Sequence, residues 1–180
     1  MRKLTIVALV LAVAPLAGAQ PKQMPKIDPA NPLSSSMKIS FDRVKGFITA
    51  AAEQMPTADY AFKPSPDVRS FGQLIGHVAD ASYMFCGAAK KETKPPVAAS
   101  IEKTVTTKDG LKKALAQAFA YCDAVYAGST DATLSTPIDL FKQKMIKFNA
   151  LDVNLTHDNE HYGNIVTYLR IKKLVPPSSM

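Results

Sequence analysis

Apolar residues recur along this chain every three or four positions, which is the spacing of an amphipathic helix. No run of strict apolar and polar alternation competes with that pattern. The pattern predicts four helices, at about residues 35–54, 70–87, 107–128 and 146–173. We therefore expect an all-α fold.

Residues that favour helix ends stand where the pattern begins and stops. Serines at 34–36 can cap the first helix, Ser70 the second and Thr107 the third. Gly87 and Gly128 follow the second and third apolar patterns, and glycine is common just beyond a helix. These signals agree with the helix boundaries that the periodicity predicts.

The connection between the second and third helices is long. It holds about 20 residues, 90–108, which is enough to cross the length of a helix and make the two helices parallel. Parallel helices would bring Cys86 and Cys122 to the same end, where a disulfide could form. In an antiparallel pair they would lie roughly 20 Å apart. A disulfide and two buried free thiols both remain open at this point.

The first twenty residues have a basic start, an apolar run over 4–16 and small residues at 17–19. This is the pattern of a signal peptide, here residues 1–19, and it predicts an exported protein that is periplasmic or secreted. The apolar run is too short for a membrane span, which needs about 20 residues. Gln20 stands where a lipoprotein has cysteine, so we expect no stable membrane anchor.

The remaining chain divides into a leader and one domain. Prolines are frequent over residues 20–34, which we interpret as an extended leader, and residues 35–177 have the length of a single domain. The net charge of +7 includes two basic residues of the signal peptide. The other lysines are scattered without clustered arginines or aromatic rings, so we expect no nucleic-acid site.

The chain has three histidines, and two of them, His157 and His161, are four positions apart in the fourth helix. Residues at that spacing lie on one helix face, so two imidazoles can bind one cation. His77, in the second helix, would be the third ligand if the two helices pack together. Spacing alone also fits exposed helical histidines, and His77 alone fits a hydrogen-bonded core residue.

Three further residues are candidates for contacts around such an ion. Asn154 and Tyr168 lie on the same helical face as the histidine pair, and Asp80 lies one turn after His77. For Asn154 and Tyr168, interior polar residues bonded to neighbouring backbone are an equally good interpretation. Asp80 could orient an imidazole or add a carboxylate ligand, and a polar residue at the edge of the helix is the more common alternative. Glu160 completes an H-x-x-E-H pattern, but no acidic residue follows His161 to act as the further ligand of that protease class.

Two segments, PTADYAFKPSPDVRSFGQLIGHVADASYMFC and LTHDNEHYGNIVTYLRIKKLVPPS, resemble the signature regions of the DinB-like superfamily, especially its exported bacterial members. The resemblance implies a four-helix bundle with a long crossover between helices two and three. It also implies a divalent metal held by His77, His157 and His161. The family often has His-Arg-Gly-Gln after the pair, whereas this chain has residues 161–164 as His-Tyr-Gly-Asn, so a role for that glutamine does not transfer.

The resemblance implies a metal-dependent enzyme. Three imidazoles leave an open coordination position, and zinc or nickel is the expected ion, although iron or copper would also accept such ligands. DinB-like relatives include thiol-dependent transferases and isomerases, but the small thiols they use are cytoplasmic, so export makes hydrolysis of a small-molecule substrate at least as strong an expectation. The alternative is a non-catalytic bundle that binds a metal or ligand. The chain could form a homodimer.

Overall fold

The computed structural model describes residues 25–92, 97 and 99–180. The predicted signal peptide, residues 1–19, lies outside them. The helices are α1 (Pro32–Gln54), α2 (Phe71–Ala89), α3 (Ile101–Thr104), α4 (Lys108–Ala127), α5 (Asp131–Leu134) and α6 (Lys147–Ile171), and the strands are β1 (Pro137–Leu140) and β2 (Gln143–Ile146). None of the described helices is long and apolar enough to cross a membrane.

The four long helices form the predicted bundle. Both α1 and α2 pack against α4 and α6, so α1 and α2 occupy opposite corners. Burying their apolar faces together is the main source of stability. The largest fully buried side chains include Phe41, Ile48, Met55, Phe71, Ile75, Leu111, Leu115, Tyr126, Leu151, Ile165 and Leu169. The predicted four-helix bundle is confirmed.

Helices α2 and α4 run parallel. Gly72 at the start of α2 lies beside Leu111 at the start of α4. At the other end, the Cα atoms of Cys86 and Cys122 are 5.4 Å apart. The predicted long crossover therefore connects the two helices, and within it residues 101–104 form the single turn α3, which the sequence pattern did not predict.

The predicted caps are present on α2 and α4 and absent on α1. Ser70 accepts from the backbone N–H of Gln73, whose side chain accepts from the backbone N–H of Ser70 in return. The Thr107 hydroxyl caps α4 by accepting from the backbone N–H of Gly110, with no return bond because glycine has no side chain. Helix α1 instead begins at Pro32, inside the predicted leader, and its backbone N–H groups at residues 33 and 34 donate to the carboxylate of Asp131.

A short hairpin before α6 departs from the all-helical expectation. Strands β1 and β2 pair antiparallel, and the two turn residues, Phe141 and Lys142, have φ of 53° and 61°. Positive φ at both central residues is typical of a type I′ turn. The pattern prediction missed the hairpin because each strand has only four residues and the turn lacks the usual glycine or asparagine.

Candidate metal centre

The three histidines converge on one point inside the bundle. Nε2 of His157 lies 3.1 Å from Nε2 of His77 and 3.0 Å from Nε2 of His161. One ring nitrogen from each histidine lies within 4.8 Å of the other two, which is close enough for all three to bind one ion. No other described Cys, Asp or Glu side chain joins this group.

The packing of α2 against α6 produces this arrangement. His157 and His161 project from successive turns of α6, and His77 projects from the middle of α2 toward them. His161 is only 7% exposed. The ring of Phe85, also on α2, packs edge-on against His157 with centroids 5.6 Å apart and covers one side of the cluster.

Burial keeps the three imidazoles neutral. Burial, and to a smaller extent the neighbouring histidines, lowers the pKa of His157 to about 4. Burial likewise lowers the pKa of His161 to about 4. The pKa of His77 is also lowered, mainly by burial. Neutral imidazole is the form that binds metals, so near pH 7 the cluster needs no deprotonation before it accepts an ion.

The hydrogen bonding of the cluster favours a cation. Nδ1 of His77 lies 3.1 Å from a carboxylate oxygen of Glu102, so Nδ1 carries the proton and Nε2 presents its lone pair. Nε2 of His157 can either carry a proton and donate it to Nε2 of His77, or lack the proton and accept one from Nε2 of His161. In neutral rings it cannot do both, so one of the two close nitrogen contacts is left without a hydrogen bond. A cation among the three nitrogens would satisfy all of them.

Glu102, in α3, links the cluster to a nearby arginine. One carboxylate oxygen lies 3.1 Å from Nδ1 of His77, and the other accepts from Nε of Arg69 at 2.9 Å. A carboxylate on the outer nitrogen of a histidine fixes the ring's tautomer and orientation for a metal on the inner nitrogen. No pattern in the sequence indicates Glu102, which is 25 positions from His77.

Asp80 holds the turn that carries Glu102. Its carboxylate accepts from the Ser100 hydroxyl at 2.7 Å and from the backbone N–H groups of Ile101 and Glu102 at 2.8 and 3.0 Å. The expectation that Asp80 orients an imidazole or binds the ion differs from this placement, because its carboxylate makes no hydrogen bond to a histidine. It caps α3, and its connection to the cluster runs through Glu102.

A solvent-open cavity of about 670 Å³ lies beside the cluster, and its wall includes both His161 and Glu102. Lys63, Arg69 and Tyr168 form other parts of the wall. An ion held by the histidines would therefore lie next to a space large enough for a small molecule.

The comparison with known proteins identifies the family. The sequence profile of the DinB superfamily matches residues 40–165. This chain belongs to the DinB superfamily. None of the curated proteins matches it.

Solved structures show the same fold as this DinB superfamily member. A DinB-like protein from Bacillus cereus has a TM-score of 0.68 at 15% identity, covering 81% of this chain and 95% of that one. A DinB-like protein from Bacillus subtilis has a TM-score of 0.62 at 21% identity, covering 77% and 92%. A conserved protein from Enterococcus faecalis has a TM-score of 0.62 at 17% identity, covering 77% and 95%.

Asn164 stands where DinB-like proteins often have glutamine. Its amide nitrogen lies 3.4 Å from Nδ1 of His161. If His161 binds an ion through Nε2, Nδ1 carries a proton, and a half-turn of the amide would place the oxygen of Asn164 there as acceptor. Nδ1 of His157 is buried and has no partner within the described chain.

The other two residues predicted around the ion lie elsewhere. Asn154 is fully buried, and its amide donates to Tyr126 at 3.3 Å and to Asp158 at 3.2 Å. It makes no hydrogen bond to a histidine, and it is an interior polar residue bonded to side chains rather than to neighbouring backbone. Tyr168 lines the cavity, and its hydroxyl donates to the backbone oxygen of Arg69 at 2.6 Å. Tyr168 therefore holds the cavity wall and makes no hydrogen bond to the histidines.

The structure joins Cys86 and Cys122 in a disulfide between α2 and α4, hereafter the interhelical disulfide. Both residues are fully buried. Of the two alternatives for the cysteines, the structure contains the bridge. Glu160, the acidic residue of the H-x-x-E-H pattern, is exposed and makes no ion pair with a described residue.

Proposed function

We propose that this protein is an exported metal-dependent enzyme that holds one divalent ion through His77, His157 and His161. The observation that carries the proposal is the convergence of three neutral Nε2 atoms whose contacts cannot all be hydrogen bonds. Zinc and nickel suit three imidazoles best, and iron or copper would also be accepted.

The described side chains leave room for catalysis at the ion. Three protein ligands, with no fourth carboxylate or thiolate from the described chain, are typical of catalytic rather than structural zinc sites. His161 lies in the wall of the cavity, so a small molecule in the cavity has access to the ion position. These two features favour an enzyme over the alternative of a non-catalytic bundle.

When bound, a divalent ion would supply Lewis acidity and lower the pKa of a coordinated water. The protein's own residues prepare the site for it. Glu102 holds the proton on Nδ1 of His77, so that Nε2 faces the ion position. Phe85 covers His157 on one side and limits solvent access from there.

Export favours hydrolysis of a small molecule over thiol transfer. The interhelical disulfide is of the kind that persists in oxidising compartments, which agrees with the predicted signal peptide. Mass analysis of the native protein tests this part of the proposal. We expect a mature chain that begins at Gln20 in the exported fraction, and a full-length chain confined to the cytoplasm would contradict it.

Cobalt substitution tests whether the coordination sphere is open. We expect azide to change the visible spectrum of the cobalt-loaded wild type, because a small anion can enter a free position. A spectrum that azide does not change would contradict an open site.

Turnover is tested with the zinc-loaded protein on a panel of small esters, amides and phosphoesters. We expect hydrolysis that a chelator abolishes and added zinc restores, and that His157→Ala lacks. An open site that hydrolyses none of the panel would favour the non-catalytic alternative.

A further inference from the structure

The cavity beside the histidines has basic groups in its wall. Lys63 and Arg69 both line it, together with His161. The carboxylate of Glu102 contacts both Arg69 and His77, so it connects Arg69 to a predicted metal ligand. A molecule that enters the cavity therefore meets the guanidinium and the ion position side by side.

Arg69 is held at two points. Its Nε donates to Glu102 at 2.9 Å, and its backbone oxygen accepts from the Tyr168 hydroxyl at 2.6 Å. Within the described chain its two terminal amino groups have no hydrogen-bond partner. These two groups form the planar fork that matches the oxygens of a carboxylate or phosphate. The bond from Nε to Glu102 restricts this side chain, which reduces the conformational entropy that the fork loses when it binds an anion.

The charge balance of the cavity changes when an ion is present. Lys63 and Arg69 are balanced by Asp67 and Glu102, which also line the wall. The two oxygens of Glu102 are already used by Arg69 and His77. Imidazole binds a metal in its neutral form, so the three histidines would not compensate the charge of a bound divalent ion, and the loaded cavity would attract anions.

We propose that the cavity binds a small organic anion whose carboxylate or phosphate group is held by Arg69, with Lys63 as a second cation. The anionic group would anchor the molecule while another part of it faces the ion position. This proposal rests on the proposed function, because it names the substrate class of the same site.

Titration followed by NMR tests the anion site. Sodium propionate and inorganic phosphate are the two anionic probes, and propionamide is the neutral probe of the same shape as propionate. Each is added to the zinc-loaded and the metal-free protein. We expect the NMR chemical shifts of residues around Arg69 to change and reach saturation with both anions, at lower anion concentration when zinc is present. Propionamide should bind far more weakly.

Variants show whether Arg69 is responsible. Arg69→Gln retains a donor for Glu102 and should weaken anion binding about tenfold through loss of a charge-assisted hydrogen bond. Lys63→Gln should weaken it about threefold, as expected for an exposed charge. Arg43→Gln removes an exposed arginine on α1 and should bind as the wild type does. Zinc content is measured for every variant.

The outcomes separate this proposal from the proposed function. Anion affinities of Arg69→Gln and Lys63→Gln equal to wild type, or propionamide binding as tightly as propionate, would overturn the anion site even if zinc binds. A protein that binds no zinc would overturn the proposed function. In that case, Arg69-dependent anion binding by the metal-free protein would still support the anion site, and its absence would overturn it.

Discussion

Asp80 is predicted to control metal affinity although it makes no hydrogen bond to a histidine. Its carboxylate holds α3 by three hydrogen bonds, and α3 positions Glu102 against Nδ1 of His77. Asp80→Ala should release this turn from α2. Glu102 would then contact His77 for a smaller fraction of the time, and the histidine would lose its fixed orientation.

The size of the effect follows from the contacts. Three hydrogen bonds at a net value of about 1 kcal/mol each suggest that Asp80→Ala lowers the free energy of unfolding by about 2–3 kcal/mol. Loss of a carboxylate that orients a metal-binding histidine typically costs about 10- to 100-fold in metal affinity. We expect Glu102→Gln to show that loss directly and Asp80→Ala to approach it.

A double-mutant cycle tests the pathway. Zinc affinity is measured by competition with a chelator for wild type, Asp80→Ala, Glu102→Gln and the double variant. If Asp80 acts through Glu102, the double variant should lose little more affinity than Glu102→Gln alone. Asp109→Asn, which removes a 97% exposed carboxylate at the start of α4, is the control and should keep its affinity. Fully additive losses, or an unchanged affinity in Asp80→Ala, would refute the reasoning.

Three further predictions concern the scaffold. Reducing the interhelical disulfide, which closes a separation of 36 positions, should lower the free energy of unfolding by about 3–4 kcal/mol in chemical denaturation, and an unchanged midpoint would argue against it. Gly76→Ala would place a Cβ atom 2.7 Å from the backbone of α3 and should destabilise the fold by about 1–3 kcal/mol. The Cβ atom of Gly163→Ala would have no atom within 4 Å, so this control variant should not be destabilised by a clash. The third prediction concerns Asp131. Burial raises the pKa of its carboxyl, but hydrogen bonds from backbone N–H groups of α1 outweigh burial and lower this pKa below 3.8. The contribution of the ionised carboxylate to the free energy of unfolding is therefore complete near neutral pH. The stability gap between wild type and Asp131→Ala should therefore close as the pH falls below 3.8, and a gap that widens with acid would contradict this.

Local signals were sufficient to predict the long helices. Ser70 and Thr107 cap α2 and α4 as expected, and Gly128 follows α4. The first helix was less well predicted, because Asp131 binds its N-terminal backbone groups from a distant part of the chain. Short elements such as α3 and the hairpin carry too few residues for a periodic pattern to be visible.

The candidate site was predictable where it depends on helix geometry. The pair His157 and His161 follows from a spacing of four residues on one helix. Glu102 was not predictable, because tertiary packing alone brings α3 over α2. The one hint is Gly76, a glycine inside a helix, whose missing side chain allows the backbone of Glu102 to approach. Its meaning becomes clear only once the packing is known.

The metal content of the purified protein tests the central claim most directly. Elemental analysis should find close to one divalent ion per chain in the wild type and far less in folded His157→Ala. Asn159→Ala, an exposed position on the same helix, should match the wild type. Equal metal content in wild type and His157→Ala would contradict a site built from the three histidines.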